Sequence, residues 1–333
     1  METTAKLVID DSLIGSSAEL PGEEQSRQAG SDAAYARLLA RLSHQSVVKR
    51  FEAYVDVPWQ DPVFALDPED PRFELPEFEP LGSTSWYRAL PAPTRARLGA
   101  HLFVSFMKIG AQFENALQRG LLEYALELPN GAPEFRYAYH ELIEEAQHSL
   151  MFQEFVNRSG LDAPGIPAHM RIGARRIVRL ARRFPELFFF FVLGGEDPID
   201  YVQRTALGNQ QMRHPLLERI SRIHVTEEAR HLSFARAYLQ RNVPRLPARK
   251  RLHLRIAVPL LLARMAGLML QAPPSVVRTY AIPRAVLDEA YHRNPVQKRR
   301  AAESLRKVRD LCVELELATP PFDRLWKRLG IWA

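Results

Sequence analysis

The sequence contains a single cysteine, Cys312, and only 16 glycines among its 333 residues. One cysteine excludes an intrachain disulfide and is typical of a reducing compartment. The N-terminus lacks the basic, apolar and small-residue pattern of a secretory signal. The most apolar tract, residues 257–272, is interrupted by Arg264 and is shorter than the roughly 20 residues needed to cross a bilayer. We therefore expect a cytoplasmic protein with no membrane partner.

Stretches that alternate polar and apolar residues are also scarce, whereas long Leu-, Ala-, Arg- and Glu-rich tracts repeat their apolar residues at helical spacing. The composition, 46% apolar and 25% charged, provides enough material for a large core. We expect an all-α protein with a flexible leader over residues 1–30 and one domain over residues 31–333. Its metal-binding bundle is predicted at about residues 93–242. The predicted helices cover residues 31–55, 94–126, 133–157, 166–183, 185 onwards, 215–241, 248–270 (kinked or split at Pro259), 296–317 and 321–329, and the proline-dense stretch 58–93 is predicted to be irregular but packed on the domain.

The net charge is +6, and arginines cluster in residues 171–183 and 245–255. A solvated helix face is the ordinary interpretation. The alternative is an anionic partner: a carboxylate substrate, an acidic carrier protein or nucleic acid. No nucleic-acid-binding motif and no interleaved aromatic residues accompany the arginines, so we expect no nucleic-acid partner.

One stretch points to metal chemistry, His224-Val225-Thr226-Glu227-Glu228-Ala229-Arg230-His231. In an α-helix Glu228 lies roughly 40° from His224, and His231 lies roughly 20° away on the other side. Two imidazoles and a carboxylate on one stripe form a face that suits a first-row transition metal.

The chain supplies a matching half. Glu145 and His148 repeat the Glu-x-x-His spacing of Glu228 and His231. Four-helix carboxylate sites take one such pair from each of two helices and a lone glutamate from each of two others. Glu114, with Glu123 as its competitor, and Glu196 lie in apolar helical stretches before the two pairs. The order Glu, Glu-x-x-His, Glu, Glu-x-x-His predicts a ferritin-like four-helix bundle with additional decorating helices.

Two positions leave alternatives open. Glu144 and Glu227 stand four residues before His148 and His231, a spacing that also suits an ion pair on a helix surface. We favour the Glu-x-x-His register because both motifs share it. His224 is either a seventh ligand or a hydrogen-bonding histidine of the core, and its place one turn before Glu228 favours the ligand.

The donor set predicts two iron ions. Imidazole and carboxylate suit divalent iron, although they do not exclude manganese. Four glutamates match two divalent ions in formal charge. Without metal, four buried carboxylates would repel one another, and some of their pKa values would rise.

These residues resemble the diiron arylamine N-oxygenases, with the His-x-x-x-Glu-x-x-His of residues 224–231 as the most distinctive part. The resemblance covers roughly residues 95–240. It implies a ferritin-like homodimer in which O2 and an external electron donor convert an aromatic amine, through the hydroxylamine, to a nitro compound. It also implies a C-terminal arginine that binds a substrate carboxylate, for which Arg299, Arg300, Arg306 and Arg309 are candidates unless they lie on a solvated face. The implied iron ligands are Glu114, Glu145, His148, Glu196, His224, Glu228 and His231.

We thus expect an O2-dependent diiron N-oxygenase of secondary metabolism that acts on a small-molecule amine. The alternatives are a diiron hydroxylase or desaturase acting on carbon, including a carrier-bound substrate, and a non-enzymatic ferritin-like metal-binding protein. A radical-generating reductase subunit would need a tyrosine beside the metals, and Tyr137 and Tyr139 do not share the stripe of Glu145. The expected cavity residues are Phe113, Leu117, Phe191, Leu193 and Val225.

Overall fold

The computed structural model describes residues 21–208 and 213–332, with side chains from Asp32 onwards. Within these ranges it contains helices and turns but no β-strand, which confirms the predicted all-α class. The chain divides into two units, Met1–Leu38 and Leu39–Ala333, and the following sections concern the second. The first helix, α1 (Pro21–Val48), starts and ends earlier than the helix predicted over residues 31–55. Its residues 21–30 belong to the segment that the sequence predicts to be a flexible leader. The rest of the predicted leader, residues 1–20, lies outside the described residues.

The other helices agree with the sequence-based bounds to within a few residues as far as residue 270. Beyond residue 270 the structure adds short elements that the sequence did not predict, among them a π-helical turn at Asp288–Arg293. The helices are α2 (Ser85–Arg88), α3 (Ala92–Ala125), α4 (Pro133–Ser159), α5 (Ala168–Arg183), α6 (Pro185–Gly208), α7 (Pro215–Asn242), α8 (Ala248–Leu270), α9 (Pro274–Thr279), α10 (Arg284–Leu287), α11 (Pro295–Ser304), α12 (Arg306–Glu314) and α13 (Asp323–Arg328).

Four helices form the predicted bundle. Helix α3 packs against α4, α6 packs against α7, and the two pairs meet through the α4–α7 and α3–α6 contacts. Helix α6 is apolar on every side over residues 187–193, and all of these side chains are buried, as expected for a helix that is covered all round. The carboxylates and imidazoles of the motifs lie in the middle of these helices.

A glycine brings α6 close to α3 beside the candidate site. A Cβ atom on Gly195 would lie 2.1 Å from Cζ of Phe113, which is less than any van der Waals contact. Residue 195 therefore has to lack a side chain for the Phe113 ring to keep its place. Because Glu196 is the next residue, this close approach also sets the position of Glu196 along the bundle relative to α3.

The proline-dense connection packs on the domain, as predicted. Trp59 and Phe73 are buried. Two short 3-10 turns, Pro62–Phe64 and Pro71–Phe73, begin at Asp61 and Asp70, whose carboxylates accept backbone N–H groups two residues on.

The remaining helices surround the bundle. Helix α5 packs on α3 and α6, and α8 packs on α6. Helix α8 is not split by Pro259, and the single helix predicted over residues 296–317 is divided at Leu305, where no glycine or proline marks the break. Among the described helices, α8 is long and apolar enough to cross a membrane by length and composition, with 39% of its most apolar window buried.

Candidate metal centre

The structure brings all seven predicted ligands together in the interior of the bundle. Helices α3 and α6 each supply one glutamate, α4 supplies a Glu-x-x-His, and α7 supplies a His-x-x-x-Glu-x-x-His. None of these side chains is more than 2% exposed: Glu114, Glu145, His148, Glu196, His224, Glu228 and His231. Glu123, the competitor of Glu114, lies instead at a surface depression of α3.

Glu145 and Glu228 lie between the same two histidines. Nδ1 of His231 is 3.0 Å from an oxygen of Glu145 and 3.0 Å from an oxygen of Glu228. Nδ1 of His148 is 3.2 Å from Glu145 and 3.5 Å from Glu228. Each carboxylate thus lies within 3.5 Å of the Nδ1 atoms of both imidazoles, so one cluster of donor atoms is shared between α4 and α7.

His224 completes the opposite side of the cluster. Its Nε2 is 3.7 Å from Glu114 and 3.8 Å from both Glu196 and Glu228. These separations are too long for hydrogen bonds, so the atoms surround a gap. Nδ1 of His224 is 2.9 Å from the side-chain oxygen of Gln203. When Nδ1 carries the proton, its N–H group donates to that oxygen and Nε2 is free to bind a metal.

The donor atoms fit metal ions better than they fit one another. Oε2 of Glu114 and Oε2 of Glu228 are buried and have no hydrogen-bond partner among the described residues. Buried carboxylate oxygens without a partner are costly, and a cation satisfies them. Within each of three overlapping groups, donor atoms lie within 4.8 Å of one another: Glu114, His148, His224; Glu145, His148, Glu228; and Glu196, His224, Glu228.

The outer nitrogens of two histidines are bound by carboxylates from the opposite helix. Nε2 of His148 on α4 is 3.0 Å from Glu227 on α7. Nε2 of His231 on α7 is 2.7 Å from Glu144 on α4. Both carboxylates are buried, so the surface ion pairs that the i,i+4 spacing suggested do not form. Such contacts fix the orientation of a ligating imidazole and raise its basicity.

Arg230 joins these two carboxylates. Its guanidinium donates to Glu144 at 2.7 Å and lies 3.5 Å from Glu227. The backbone N–H of Phe51 donates to the same oxygen of Glu227 at 3.2 Å. The guanidinium of Arg230 thus helps to hold in place both carboxylates that orient the imidazoles.

The electrostatics of the metal-free cluster show how strongly it requires positive charge. Burial lowers the pKa of His148, but its hydrogen bonds to Glu145 and Glu227 outweigh burial and raise that pKa to about 10. Burial raises the pKa of Glu144, yet the hydrogen bonds from His231 and Arg230 hold it at about 2. Burial, with the charge of Glu145, raises the pKa of Glu114 well above its usual range. Without metal, protons supply the positive charge.

One further carboxylate lies deep in the bundle. Glu141, one turn before Glu145, is 1% exposed, and its Oε2 has no hydrogen-bond partner among the described residues. Burial raises its pKa to about 8. In the metal-free protein Glu141 thus keeps its proton to a higher pH than an exposed glutamate does, and the sequence did not single it out.

A cavity of about 130 Å³ opens beside Glu114, Glu196 and His224. Of the predicted lining residues, Phe113 lines it, whereas Leu117, Phe191, Leu193 and Val225 are buried elsewhere in the core. The apolar wall includes further residues that no sequence motif marks: Leu102, Phe103, Phe106, Met107, Phe152, Val202, Leu217 and Met269.

Two charged residues also line this cavity, Arg300 and Glu79. Nη1 of Arg300 is buried and has no hydrogen-bond partner among the described residues. Glu79 accepts the backbone N–H groups of Leu81 and Gly82 at 2.7 and 3.1 Å. Burial raises the pKa of Glu79, although the charge of Arg300 opposes this.

The other candidate arginines lie elsewhere. Arg299 is exposed. Arg306 is exposed and pairs with Glu303, and Arg309 donates to the carbonyl oxygen of Ala302. The structure therefore separates Arg300 from the three neighbours that the sequence could not distinguish from it.

The fold and the site define an all-helical bundle with a buried His/Glu cluster that can hold metal. Residues 32–316 match the family model described as p-aminobenzoate N-oxygenase AurF, and the chain belongs to this family of oxygenases. It is also 37% identical over 296 residues to uncharacterized proteins of Mycobacterium bovis and Mycobacterium tuberculosis, an alignment that covers 89% of this chain and 87% of each relative. No solved structure matches the chain significantly.

Proposed function

We propose that this protein is an O2-dependent diiron N-oxygenase that oxidises an aryl amine, through the hydroxylamine, to a nitro compound in secondary metabolism. The observation that supports this most directly is the meeting of an apolar cavity with the metal-facing donors Glu114, Glu196 and His224. A metal-storage protein needs no apolar cavity at its metal site. The family description names an N-oxygenase, which favours nitrogen over carbon as the atom oxidised.

The seven clustered side chains would hold two irons, with Glu145 and Glu228 facing both histidines of the Glu-x-x-His pairs. A pair of irons supplies, when bound, the activation of O2 for oxygen transfer. No thiolate belongs to the set, and imidazole with carboxylate suits Fe²⁺. Manganese accepts the same ligands, so metal analysis has to distinguish the two.

The chain's own residues orient and isolate the reacting groups. Glu227 and Glu144 fix the rings of His148 and His231, while Gln203 fixes the ring of His224. The phenyl rings of the cavity exclude water and leave a narrow apolar space beside the donors, in which a flat aromatic ring can pack.

Arg300 is the residue we propose for binding the substrate's acidic group. Its buried Nη1 has no partner among the described residues, and it belongs to the same cavity as the metal-facing donors. A carboxylate on Arg300 would be a charge-assisted hydrogen-bonded pair and would direct the opposite end of the ring, with its amine, towards Glu114 and His224.

We further propose a cytoplasmic homodimer that takes electrons from a separate donor. Helix α4 exposes an apolar stripe at four-residue and seven-residue spacing: Phe135, Tyr139, Ile143 and Leu150 are between 43% and 48% exposed. Such a stripe on the outside of a bundle suits a second copy of the chain. Analytical ultracentrifugation of the wild type and of Ile143→Asp tests it: a dimer that the variant dissociates is expected, and a wild-type monomer rejects it.

The activity is tested by loading the protein anaerobically with Fe²⁺, adding O2 and a chemical reductant, and screening aryl and alkyl amines by mass spectrometry. We expect hydroxylamine and nitro products from an aryl amine. Carbon-hydroxylated or desaturated products would replace the proposal with carbon oxidation. Iron uptake without any organic product would favour metal storage.

A further inference from the structure

Two neighbouring helices concentrate positive charge without a single acidic residue. Neither α5 nor α8 contains aspartate or glutamate, although the whole chain has 39 acidic residues. Their cations are Arg171, Arg175, Arg176, Arg179, Arg182 and Arg183 on α5, and Arg249, Lys250, Arg251, Arg255 and Arg264 on α8.

The two helices border one continuous surface. At one end, Nζ of Lys250 is 3.4 Å from the carbonyl oxygen of Arg183, and the rings of His253 and Phe184 are 5.7 Å apart. At the other end, a groove of about 410 Å³ lies between residues 169–177 of α5 and residues 260–268 of α8. We call the surface formed by α5 and α8, with this groove, the α5–α8 face.

Aliphatic side chains stand exposed among these cations. Leu252, Ile256 and Leu260 of α8 are 48%, 46% and 48% exposed, and Ile172 of α5 is 55% exposed. The three residues of α8 follow one another at four-residue spacing, so they form one outward stripe. The groove is also apolar, and its floor includes Phe113 and Phe191.

Little of the charge on α5 is neutralised within the described part of the chain. Arg182 pairs with Glu127 at 2.6 Å. Arg171, Arg175, Arg176 and Arg179 are exposed and form no salt bridge with a described residue. The α5–α8 face thus offers both unneutralised guanidinium groups and exposed aliphatic chains.

We propose that the α5–α8 face docks on an anionic lipid bilayer. Helices that lie in a membrane interface combine arginines or lysines, which bind anionic headgroups, with aliphatic residues that enter the acyl boundary. Helix α8 has the hydropathy of a membrane helix, but its inner side packs on α6, so it lies on the membrane instead of crossing it. This differs from the sequence-based expectation of no membrane partner, which considered spanning segments alone.

A bilayer accounts for the aliphatic residues better than other polyanions do. Nucleic acid or an acidic protein surface would pair with the arginines but would leave Leu252, Ile256 and Leu260 against water or charge. Lipid acyl chains also suit the groove, whose lining is predominantly apolar and whose rim carries Arg176 and Arg264. The proposal requires no metal in the protein.

The test is co-sedimentation of the full-length protein with vesicles of phosphatidylcholine alone and of phosphatidylcholine mixed with phosphatidylglycerol. We expect binding to the mixed vesicles at low ionic strength, weak binding to pure phosphatidylcholine, and a decline with salt because the charges lie at the surface. Failure of the full-length protein to bind the anionic vesicles overturns the proposal.

Two matched variants locate the surface. Arg175→Glu/Arg176→Glu/Arg179→Glu and the control Arg284→Glu/Arg293→Glu/Lys298→Glu each reverse three exposed cations, so each lowers the net charge from +6 to 0. We expect about a hundredfold weaker vesicle binding for the α5 variant and little change for the control. Equal loss in both variants would mean that net charge alone drives binding, and it overturns the assignment to this face.

A third variant, Leu252→Ser/Ile256→Ser, tests the aliphatic contribution without changing the charge. We expect about a tenfold loss of vesicle binding, with circular dichroism and melting temperature kept. Unchanged vesicle binding, or a change in oligomeric state in place of lipid binding, overturns the proposal and assigns the stripe to a protein contact. A further outcome also overturns the proposal: the wild type binds no vesicles, and both the wild type and this variant bind single-stranded RNA. That result assigns the arginines to nucleic acid.

Discussion

Glu144 on α4 accepts a hydrogen bond from His231 on α7 at 2.7 Å, although the histidine four residues along its own helix is His148. In the same way, a carboxylate oxygen of Glu227 on α7 lies 3.0 Å from Nε2 of His148 on α4. The two motifs are therefore interleaved: each helix supplies a Glu-x-x-His and the carboxylate that orients the other helix's imidazole. This exchange ties α4 to α7 at the level of the candidate metals.

The interleaving predicts how iron binding responds to Glu144→Gln. The amide keeps the size of the side chain but removes the negative charge that raises the basicity of His231. We expect a loss of about 10-fold to 100-fold in iron affinity, measured by equilibrium dialysis. Glu218→Gln, which removes an exposed carboxylate from α7, is the control and should bind iron as the wild type does. Wild-type affinity in Glu144→Gln would mean that the contact to His231 has no role in metal binding.

His224→Ala removes the imidazole that faces Glu114 and Glu196. We expect lower iron content at sub-saturating iron, because one nitrogen donor is lost, together with a slower reaction with O2. Gln203→Ala should show a smaller effect in the same direction, since it frees the ring of His224 to rotate. If iron loading and turnover are unaltered in His224→Ala, His224 is a core histidine and not a ligand.

Arg300 gives a prediction about substrate binding. Arg300→Ala should raise KM for an amine that carries a carboxylate by about 10-fold to 100-fold, because a charge-assisted hydrogen bond is lost. The increase should be smaller for the corresponding aniline without a carboxylate. Arg299→Ala, an exposed neighbour, serves as the control. An equal rise of KM for both amines would show that Arg300 shapes the cavity without binding the carboxylate.

Glu141 makes the stability of the metal-free protein depend on pH. Its pKa rises from the ordinary 4.5 to about 8 on folding. The folded state keeps the proton that the unfolded chain releases above pH 4.5, so folding stability falls between that pH and about 8, by about 1.4 kcal/mol per pH unit at most.

Glu141→Gln has no proton to lose and should gain stability relative to the wild type across this window, as measured by urea denaturation of chelator-treated protein. The exposed Glu77→Gln is the control. Parallel curves for wild type and Glu141→Gln would show that Glu141 ionises normally in the folded protein.

The bundle could be predicted because its signals are local: the helical periodicity of apolar residues and the spacing of the glutamates and histidines can be read along the chain. The bounds of α3, α4, α7 and α8 follow from helical periodicity and proline positions, and the seven clustered side chains follow from the doubled Glu-x-x-His. The doubling also includes a second glutamate directly before each motif, Glu144 or Glu227. Their roles could not be assigned because the i,i+4 spacing does not say which helix supplies the partner.

Other features depend on contacts between distant segments. Arg300 lines the cavity while Arg299 faces outward, a difference set by the packing of α11, whose boundary with α12 has no marker in the sequence. The cavity walls were mostly missed because Phe113 and Phe191 look alike as apolar residues at helical spacing. Tertiary packing places Phe113 at both the cavity and the groove beside α8, whereas Phe191 reaches the groove alone.

Iron stoichiometry tests the central claim most directly. The protein, stripped of metal and titrated anaerobically with Fe²⁺, should bind two ions per chain, and Glu145→Ala/Glu228→Ala, which removes both carboxylates between the histidines, should bind fewer than one while keeping its helical content. Two ions bound by the wild type and lost in the variant would support a dimetal centre at this cluster. One ion or none in the wild type, or two ions retained by the variant, would contradict it.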